Sequence, residues 1–294
     1  MRFPGVLPAV ITPFTTSDAI DVEALRANVE ALLAGGVAGL VANGTMAEAG
    51  SLSDDERRMA LQTCVEVAAG GLPVVAGVSS GSTAASARYA AMARDCGAQG
   101  VMCLPPLNYP GDVEELAAHY VAVADAGGLP IMIYNNPAAS GVDMLPETIA
   151  RVAAEVPSVV AVKECSGDAR RIAALVEATD LEVLVGGDDW ALEGYAAGAS
   201  GWVSGVANVA PAECVALEAH VGEGRLEEAR ALYRRLLPLA RLDMTPKLVQ
   251  YFKGAMDAVG LRGGPVRPPR LPLTEPEREI LHDAVAALHE PTPA

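Results

Sequence analysis

Lysine is scarce in this 294-residue chain; it occurs only as Lys163, Lys247 and Lys253, and arginine supplies the other cations. Lys163 is set apart by its surroundings. It follows Val159-Val160-Ala161-Val162, small and β-branched apolar residues that read as a strand buried on both faces. A polar, glycine-containing turn comes after it, Glu164-Cys165-Ser166-Gly167-Asp168. An amine at the end of a buried strand is poorly solvated, so its pKa is expected to fall toward the neutral form that adds to a carbonyl. The alternative is a strand-end lysine that snorkels to water. Which of the two holds depends on what the rest of the chain places beside it.

A first strand is expected at 5–11, ended by Thr12-Pro13, and a helix at 21–34 with Ala24, Leu25, Val29, Leu32 and Leu33 as its apolar stripe. Gly35-Gly36 ends that helix. A strand at 39–42 runs into the turn Asn43-Gly44-Thr45-Met46-Ala47-Glu48, and Ser53 with Glu56 forms a capping box for a helix reaching residue 69. Strands at 73–77, 100–104, 130–134, 159–163, 182–185 and 201–204 follow, with helices at 83–96, 113–126, 146–155 and 168–178. Eight strand–helix steps with no break in composition predict a closed (β/α)₈ TIM barrel in one domain. The competing doubly wound sheet would use about five to seven strands. Beyond residue 225 the pattern is helical, at 225–237, 245–259 and 275–288, with a Pro/Arg-rich connector at 263–272. The expectation is a barrel over 1–224 carrying a C-terminal helical extension over 225–294, packed as one unit.

Composition narrows the function. A formal charge of −16 argues against nucleic acid and anionic membrane surfaces as partners. It leaves open a small anionic substrate, whose binding is decided by local groups. Cys64, Cys96, Cys103, Cys165 and Cys214 are scattered without a CxxC pair, so neither a disulfide framework nor a zinc site is indicated. His119, His220, His282 and His289 lack metal-ligand spacing. Met1-Arg2-Phe3-Pro4 leads directly into a strand-like run without a signal-peptide core. No apolar run is long enough to span a membrane. These features are those of a cytoplasmic protein that uses no cofactor or metal.

In a barrel of this kind the active site lies at the C-terminal ends of the strands. That rule selects the 44–48 turn, Pro105-Pro106-Leu107-Asn108-Tyr109, Tyr134-Asn135-Asn136-Pro137, Lys163, Gly186-Gly187-Asp188-Asp189 and Gly205-Val206-Ala207-Asn208. One amine, a phenol, a hydroxyl and several backbone groups then share one mouth. The set suits Schiff-base chemistry, in which Lys163 adds to a ketone and the iminium serves as an electron sink. Tyr134 could move protons to and from the carbinolamine, or be a core tyrosine. Thr45 could complete a relay or bind a carboxylate, or be a turn residue. The N–H groups of the 44–47 turn could form a small anion nest. Two other motifs compete for attention. Gly77-Val78-Ser79-Ser80-Gly81 matches a hydrolase elbow, although an ordinary strand–helix loop accounts for the same glycines. Asp188-Asp189 lacks a third ligand nearby and reads as an acidic helix start.

With these residues in place, the chain resembles the dihydrodipicolinate synthase / N-acetylneuraminate lyase family of Schiff-base-forming (β/α)₈ lyases. The resemblance rests on Gly44-Thr45-x-x-Glu48, Tyr134-Asn135-x-Pro137 with Gly141, Val162-Lys163-Glu164 and Gly187-Asp188-Asp189, and it covers essentially the whole chain. It implies Lys163 as the imine-forming residue, Tyr134 as the proton-transfer phenol and Thr45 as its relay partner. It also implies Gly187 and Val206 as walls of a pyruvyl pocket and a homotetramer, a dimer of dimers, as the assembly. Departures from the family pattern bear on substrate. Met46 stands where the family has a second hydroxyl residue, and Ala47 where it has glycine. The arginine that binds the aldehyde's carboxylate in true synthases falls at Ala139 here, and the tyrosine donated across the dimer falls at Asn108, with Tyr109 displaced by one position. These changes weigh against dihydrodipicolinate synthesis and suggest a less polar second-substrate pocket.

The expected function is therefore a cofactor-free lyase acting on pyruvate or another 2-oxo acid through an imine on Lys163, as an aldolase, dehydratase or deaminase. Its substrate-binding wall would comprise Gly44, Met46, Ala47, Asn108, Tyr109, Ala139, Gly187 and Val206. Condensation of pyruvate with aspartate semialdehyde, by 4-hydroxy-tetrahydrodipicolinate synthase, is one alternative. A non-catalytic barrel that binds a 2-oxo acid is the other.

Overall fold

The computed structural model describes residues 3–289. Met1, Arg2 and positions 290–294 of the expected extension lie outside the described residues. Eight parallel strands, β1 Gly5–Pro8, β2 Leu40–Ala42, β3 Val74–Gly77, β4 Gly100–Cys103, β5 Ile131–Asn135, β6 Val159–Glu164, β7 Glu182–Val185 and β8 Gly201–Ser204, lie side by side in the order β1-β8-β7-β6-β5-β4-β3-β2. The two ends of this sheet meet. Ala9 forms a parallel bridge with Val41, the Val10 N–H donates to the Val41 carbonyl at 2.9 Å, and the Ala38 N–H donates to the Val6 carbonyl at 2.9 Å. The result is a (β/α)₈ TIM barrel. Its strands are almost wholly buried, as apolar strands with helices outside and side chains filling the barrel inside must be.

The first strand is shorter than the 5–11 run read from sequence. Its ladder with β8 ends at Pro8 opposite Ser204, and Ala9 and Val10 then turn their hydrogen bonds between β8 and β2. The outer helices start where side chains offer caps. Asp21 accepts the Ala24 N–H before Val22–Ala34, and Ser53–Glu56 and Asp112–Glu115 close capping boxes before Asp54–Ala68 and Val113–Gly127. Short helices at Pro137–Ser140, Ala191–Ala196 and Pro211–Gly222 fill connections that the sequence pattern leaves unassigned.

After Leu226–Ala240 the chain makes a 3₁₀ turn, Arg241–Met244, before the helix Leu248–Ala258. The helix expected from 245 starts later because Pro246 disfavours helical geometry at the residue before it; Thr245 sits at φ −103°, ψ 155°. The last described helix is Glu275–Ala287. These elements pack against the helices and loops of the barrel's C-terminal end, and residues 243–246 and 248 reach the barrel mouth. The extension therefore supplies part of the site wall. Among the described residues no helix is long and apolar enough to cross a membrane.

Candidate active site

Strand pairing fixes the centre of the site. β5 and β6 run in register with Tyr134 opposite Lys163 and Asn135 opposite Glu164. Alternate residues of a strand face opposite sides, so Tyr134 and Lys163 share one face while Asn135 and Glu164 share the other. On that second face both are fully buried, and Asn135 Nδ2 donates to Glu164 Oε2 at 2.8 Å and to the Met144 carbonyl at 3.0 Å. The Ser166 N–H donates to Glu164 Oε1 at 2.6 Å. This network fastens the strand ends on which the reactive pair stands. On the first face Lys163 Nζ lies 4.4 Å from the centre of the Tyr134 ring. The Tyr134 hydroxyl accepts from Asn136 Nδ2 at 3.0 Å, and the Thr45 side chain stands on the same cavity wall.

A cavity of about 390 Å³ opens onto Lys163. Of the residues expected there, its wall holds Lys163, Tyr134, Thr45, Gly44, Met46, Ala139 and Gly187. Ala47, Asn108, Tyr109 and Val206 lie outside it. Ala47 is buried in the turn, its N–H donating to the Gly44 carbonyl at 3.2 Å. Among the described residues, the N–H groups of Gly44, Thr45 and Met46 have no protein acceptor, so the anion-binding donors of this turn reduce to those three. Asn108 turns back in a left-handed conformation (φ 57°) and its N–H donates to the Ser140 carbonyl at 2.7 Å. Tyr109 is about half exposed and donates its hydroxyl to Glu115 at 2.7 Å. Val206 is fully buried, and its N–H donates to Asp188 at 2.8 Å; the neighbouring Gly205 forms the cavity wall instead.

Glycine is required at position 186. A Cβ there would collide with Cys165 Sγ and lie 2.8 Å from the Glu164 carbonyl oxygen and 3.0 Å from Lys163 Cε. The two competing motifs resolve into ordinary structure. Ser79 Oγ accepts the Leu104 N–H at 2.9 Å in the loop after β3, and among the described residues it makes no hydrogen bond to a His, Lys, Asp or Glu side chain. Asp188 opens a 3₁₀ turn, Asp188–Trp190, and its fully buried carboxylate accepts the N–H groups of Gly205 and Val206, tying the β7 loop to the β8 loop. Among the described residues no set of three His, Cys, Asp or Glu side chains is arranged to hold a metal.

The electrostatics correct one expectation. Burial pulls the Lys163 ammonium down, as anticipated, but Tyr134, Cys165, Asp243 and Asp188 outweigh it, and its pKa lies above the ordinary lysine value. Burial in turn pushes the Tyr134 phenol up and the Cys165 thiol up to about 12, so both are neutral at pH 7. Burial also pushes the Asp188 carboxyl well above the ordinary carboxylate range and Asp243 up to about 6, so Asp243 is the counter-charge that stays mostly ionised at pH 7. Beside that carboxylate Lys163 is favoured as an ammonium, which must pass on a proton before it can attack.

Sequence reasoning gave no site role to several wall residues: Asn136, Cys165, Gly205 and, from the extension, Asp243, Met244 and Leu248. Asn136 and Cys165 follow Tyr134 and Lys163 by two positions and could have been found from strand alternation. The extension residues carry no spacing signal, because only tertiary packing brings them to the mouth.

Comparison with known proteins agrees with this geometry. The Dihydrodipicolinate synthetase family model matches residues 2–288. The chain is 39% identical over 292 residues to a 4-hydroxy-tetrahydrodipicolinate synthase of Hyphomonas neptunium, covering 97% of this chain and 98% of the relative. It is 40% identical over 277 residues to the protein of the same name from Kineococcus radiotolerans, covering 94% and 90%. Among solved structures, the 4-hydroxy-tetrahydrodipicolinate synthase of Methylacidiphilum fumariolicum SolV superposes with TM-score 0.93 at 31% identity over 98% of this chain and 96% of that one. A putative dihydrodipicolinate synthetase from Pseudomonas aeruginosa gives TM-score 0.93 at 34% identity over 98% and 100%. The chain thus belongs to the dihydrodipicolinate synthetase family and is a lyase of the class I aldolase type.

Proposed function

We propose that this lyase acts on pyruvate or another 2-oxo acid through an imine on Lys163. The observation that carries the reading is the buried Lys163 amine, facing a cavity and flanked by a phenol, with Thr45 on the same wall. The substrate carboxylate would lie on the N–H groups of Thr45 and Met46, which places its C2 carbonyl toward Lys163. Tyr134, kept neutral by burial, would then give a proton to the carbinolamine oxygen as water leaves, with Thr45 returning it. Tyr134 also supplies a polarisable face to the Lys163 cation.

Borohydride reduction in the presence of pyruvate, read by intact mass, tests the imine. A single covalent adduct on the wild-type chain and none on Lys163→Ala is expected; failure to trap any 2-oxo acid would contradict it. A second reading, 4-hydroxy-tetrahydrodipicolinate synthesis from pyruvate and aspartate semialdehyde, is favoured by the printed names of the relatives. Against it, the wall position of Ala139 offers no cation for the aldehyde's carboxylate. Steady condensation of the two substrates would establish that reading. The free state of all five cysteines is compatible with work in the reducing cytoplasm. A homotetramer is proposed as the working assembly, with the exposed Tyr109 beside a face that it would cover.

A further inference from the structure

The Schiff-base reading leaves one step without a residue. An iminium at C2 acidifies the protons at C3, and some base must take one to form the enamine from which bonds at C3 are made or broken. Few groups at the cavity wall could serve. Lys163 is consumed by the imine. Tyr134 is a neutral phenol whose hydroxyl is engaged with Asn136. Cys165 is a neutral thiol. Asp188 is fully buried, with its carboxylate occupied by the backbone of Gly205 and Val206. That leaves Asp243, which lines the same cavity from the 3₁₀ turn Arg241–Met244.

Placement supports it. A Cβ built on Gly205 would lie 3.5 Å from Asp243 Oδ1 and 3.0 Å from Asp188 Oδ2, so the Asp243 carboxylate stands over the β7–β8 loops. Lys163 is on β6, between β5, which bears Tyr134, and β7. Tyr134 and Asp243 therefore flank the amine from opposite sides. With the carboxylate of the 2-oxo acid held at the Thr45–Met46 turn and the Tyr134 hydroxyl at the carbinolamine oxygen, C3 is directed to the remaining side, toward Asp243.

Resting on the Lys163 reading, we propose that Asp243 is a further catalytic residue: its carboxylate removes the C3 proton of the Lys163-bound 2-oxo acid. The C3–H electron pair becomes the C2=C3 bond of the enamine as the iminium nitrogen recovers its lone pair, and the proton resides on Asp243. The reverse transfer restores the iminium, so no oxidant or co-reactant is needed. Asp243 is the negative group of this wall, and it also disfavours a second carboxylate at the C3 end of the substrate. The groups facing it are Lys163 and Cys165 from β6 and Asp188 and Asp189 from the β7 loop. From the helix Leu226–Ala240, Tyr233 donates its hydroxyl to the Asp188 carbonyl, and from Leu248–Ala258 the buried Lys253 is committed to Glu48. Burial pushes the Asp243 carboxyl up to about 6 against the opposing pull of Lys163, so it is mostly ionised at pH 7 and gains its proton as pH falls below 6.

The test needs pyruvate alone. In D₂O, exchange of the pyruvate methyl protons followed by NMR reports C3 deprotonation, while borohydride trapping reports the imine. Asp243→Asn is expected to keep the adduct and slow exchange by roughly a hundredfold, and Asp243→Glu to recover part of the exchange. The wild-type exchange rate should fall with acid through about pH 6, and this limb should vanish in Asp243→Asn. Exchange at the wild-type rate in a variant that traps pyruvate but lacks a carboxylate at 243 would overturn the proposal. Should Asp243→Asn also lose the imine, Asp243→Glu decides: recovery of trapping and exchange together supports the role, and recovery of trapping without exchange overturns it. Absence of any imine in the wild type would overturn the Lys163 reading itself, a distinct result.

Discussion

Replacing Lys253 by methionine would show how firmly the C-terminal helices hold the active-site turn. Lys253 is 2% exposed and its Nζ lies 2.7 Å from Oε1 of Glu48, which is 0% exposed. The ammonium also donates to the Pro265 carbonyl at 2.7 Å and stands 4.2 Å from the centre of the Phe14 ring. Burial lowers the Lys253 pKa, and the hydrogen bond and charge of Glu48 oppose the fall. Glu48 closes the 44–48 turn in a left-handed conformation (φ 55°) and keeps two weaker supports, the Arg267 N–H at 3.0 Å and Arg270 Nη1 at 3.4 Å. Removing one member of a buried pair leaves the other charge uncompensated and costs about 3–5 kcal/mol. For a chain of this size that is a fall in Tm of roughly 5–8 °C. Replacing both members, Glu48→Gln with Lys253→Met, is expected to recover most of the loss, because an apolar and hydrogen-bonded pair avoids the desolvation of two charges. Thermal unfolding of the two single variants and the double variant gives the coupling directly. A single-variant loss below about 1 kcal/mol, or a double variant no more stable than Lys253→Met, would refute the reasoning.

Three further outcomes are expected. Tyr134→Phe removes the hydroxyl bonded to Asn136 and should slow imine formation by roughly 10²–10⁴-fold while the adduct still forms at long times; an unchanged trapping rate would exclude the phenol as proton carrier. Gly186→Ala forces a Cβ against Cys165 Sγ and the immobile Glu164 carbonyl, displacing the end of β6, and should cut the trapping rate by about a hundredfold; a wild-type rate would show that the strand end tolerates the shift. Ala139→Arg places a guanidinium at the cavity wall and should lower KM for aspartate semialdehyde relative to wild type, measured by condensation with pyruvate.

Much of the centre was legible because strand periodicity and barrel topology act locally and rigidly. A buried strand ending in Lys163, another ending in Tyr134 and the rule that barrel sites lie at strand ends are enough to place the pair together. Register then makes them neighbours. Loops were less legible. The family resemblance points to Val206 within the Gly205–Asn208 strand end, yet the turn of the β8 loop sends its N–H to Asp188 and leaves Gly205 at the wall. Asn108 and Tyr109 fall outside the wall for the same reason, since a left-handed residue redirects the loop. The ionisation of Lys163 was misjudged because burial could be read from the strand, whereas the groups that oppose it, Tyr134 and Cys165 first and then Asp243 and Asp188, are brought together by barrel closure and by the 3₁₀ turn Arg241–Met244. Asp243 was invisible for that reason: its position depends on Pro246 delaying a helix and on the packing of the C-terminal elements over the mouth.

The central claim concerns one nitrogen, and the chain's scarcity of lysine makes it easy to test. Wild-type protein reduced with borohydride in the presence of pyruvate can be digested and mapped by mass spectrometry against Lys163, Lys247 and Lys253. The account predicts the reduced pyruvyl group on Lys163 alone, with Lys247, ion-paired to Glu277 at 2.7 Å, and Lys253 unmodified. A pyruvyl group on either of those lysines, or an unmodified Lys163 in protein that has bound pyruvate covalently, would contradict it.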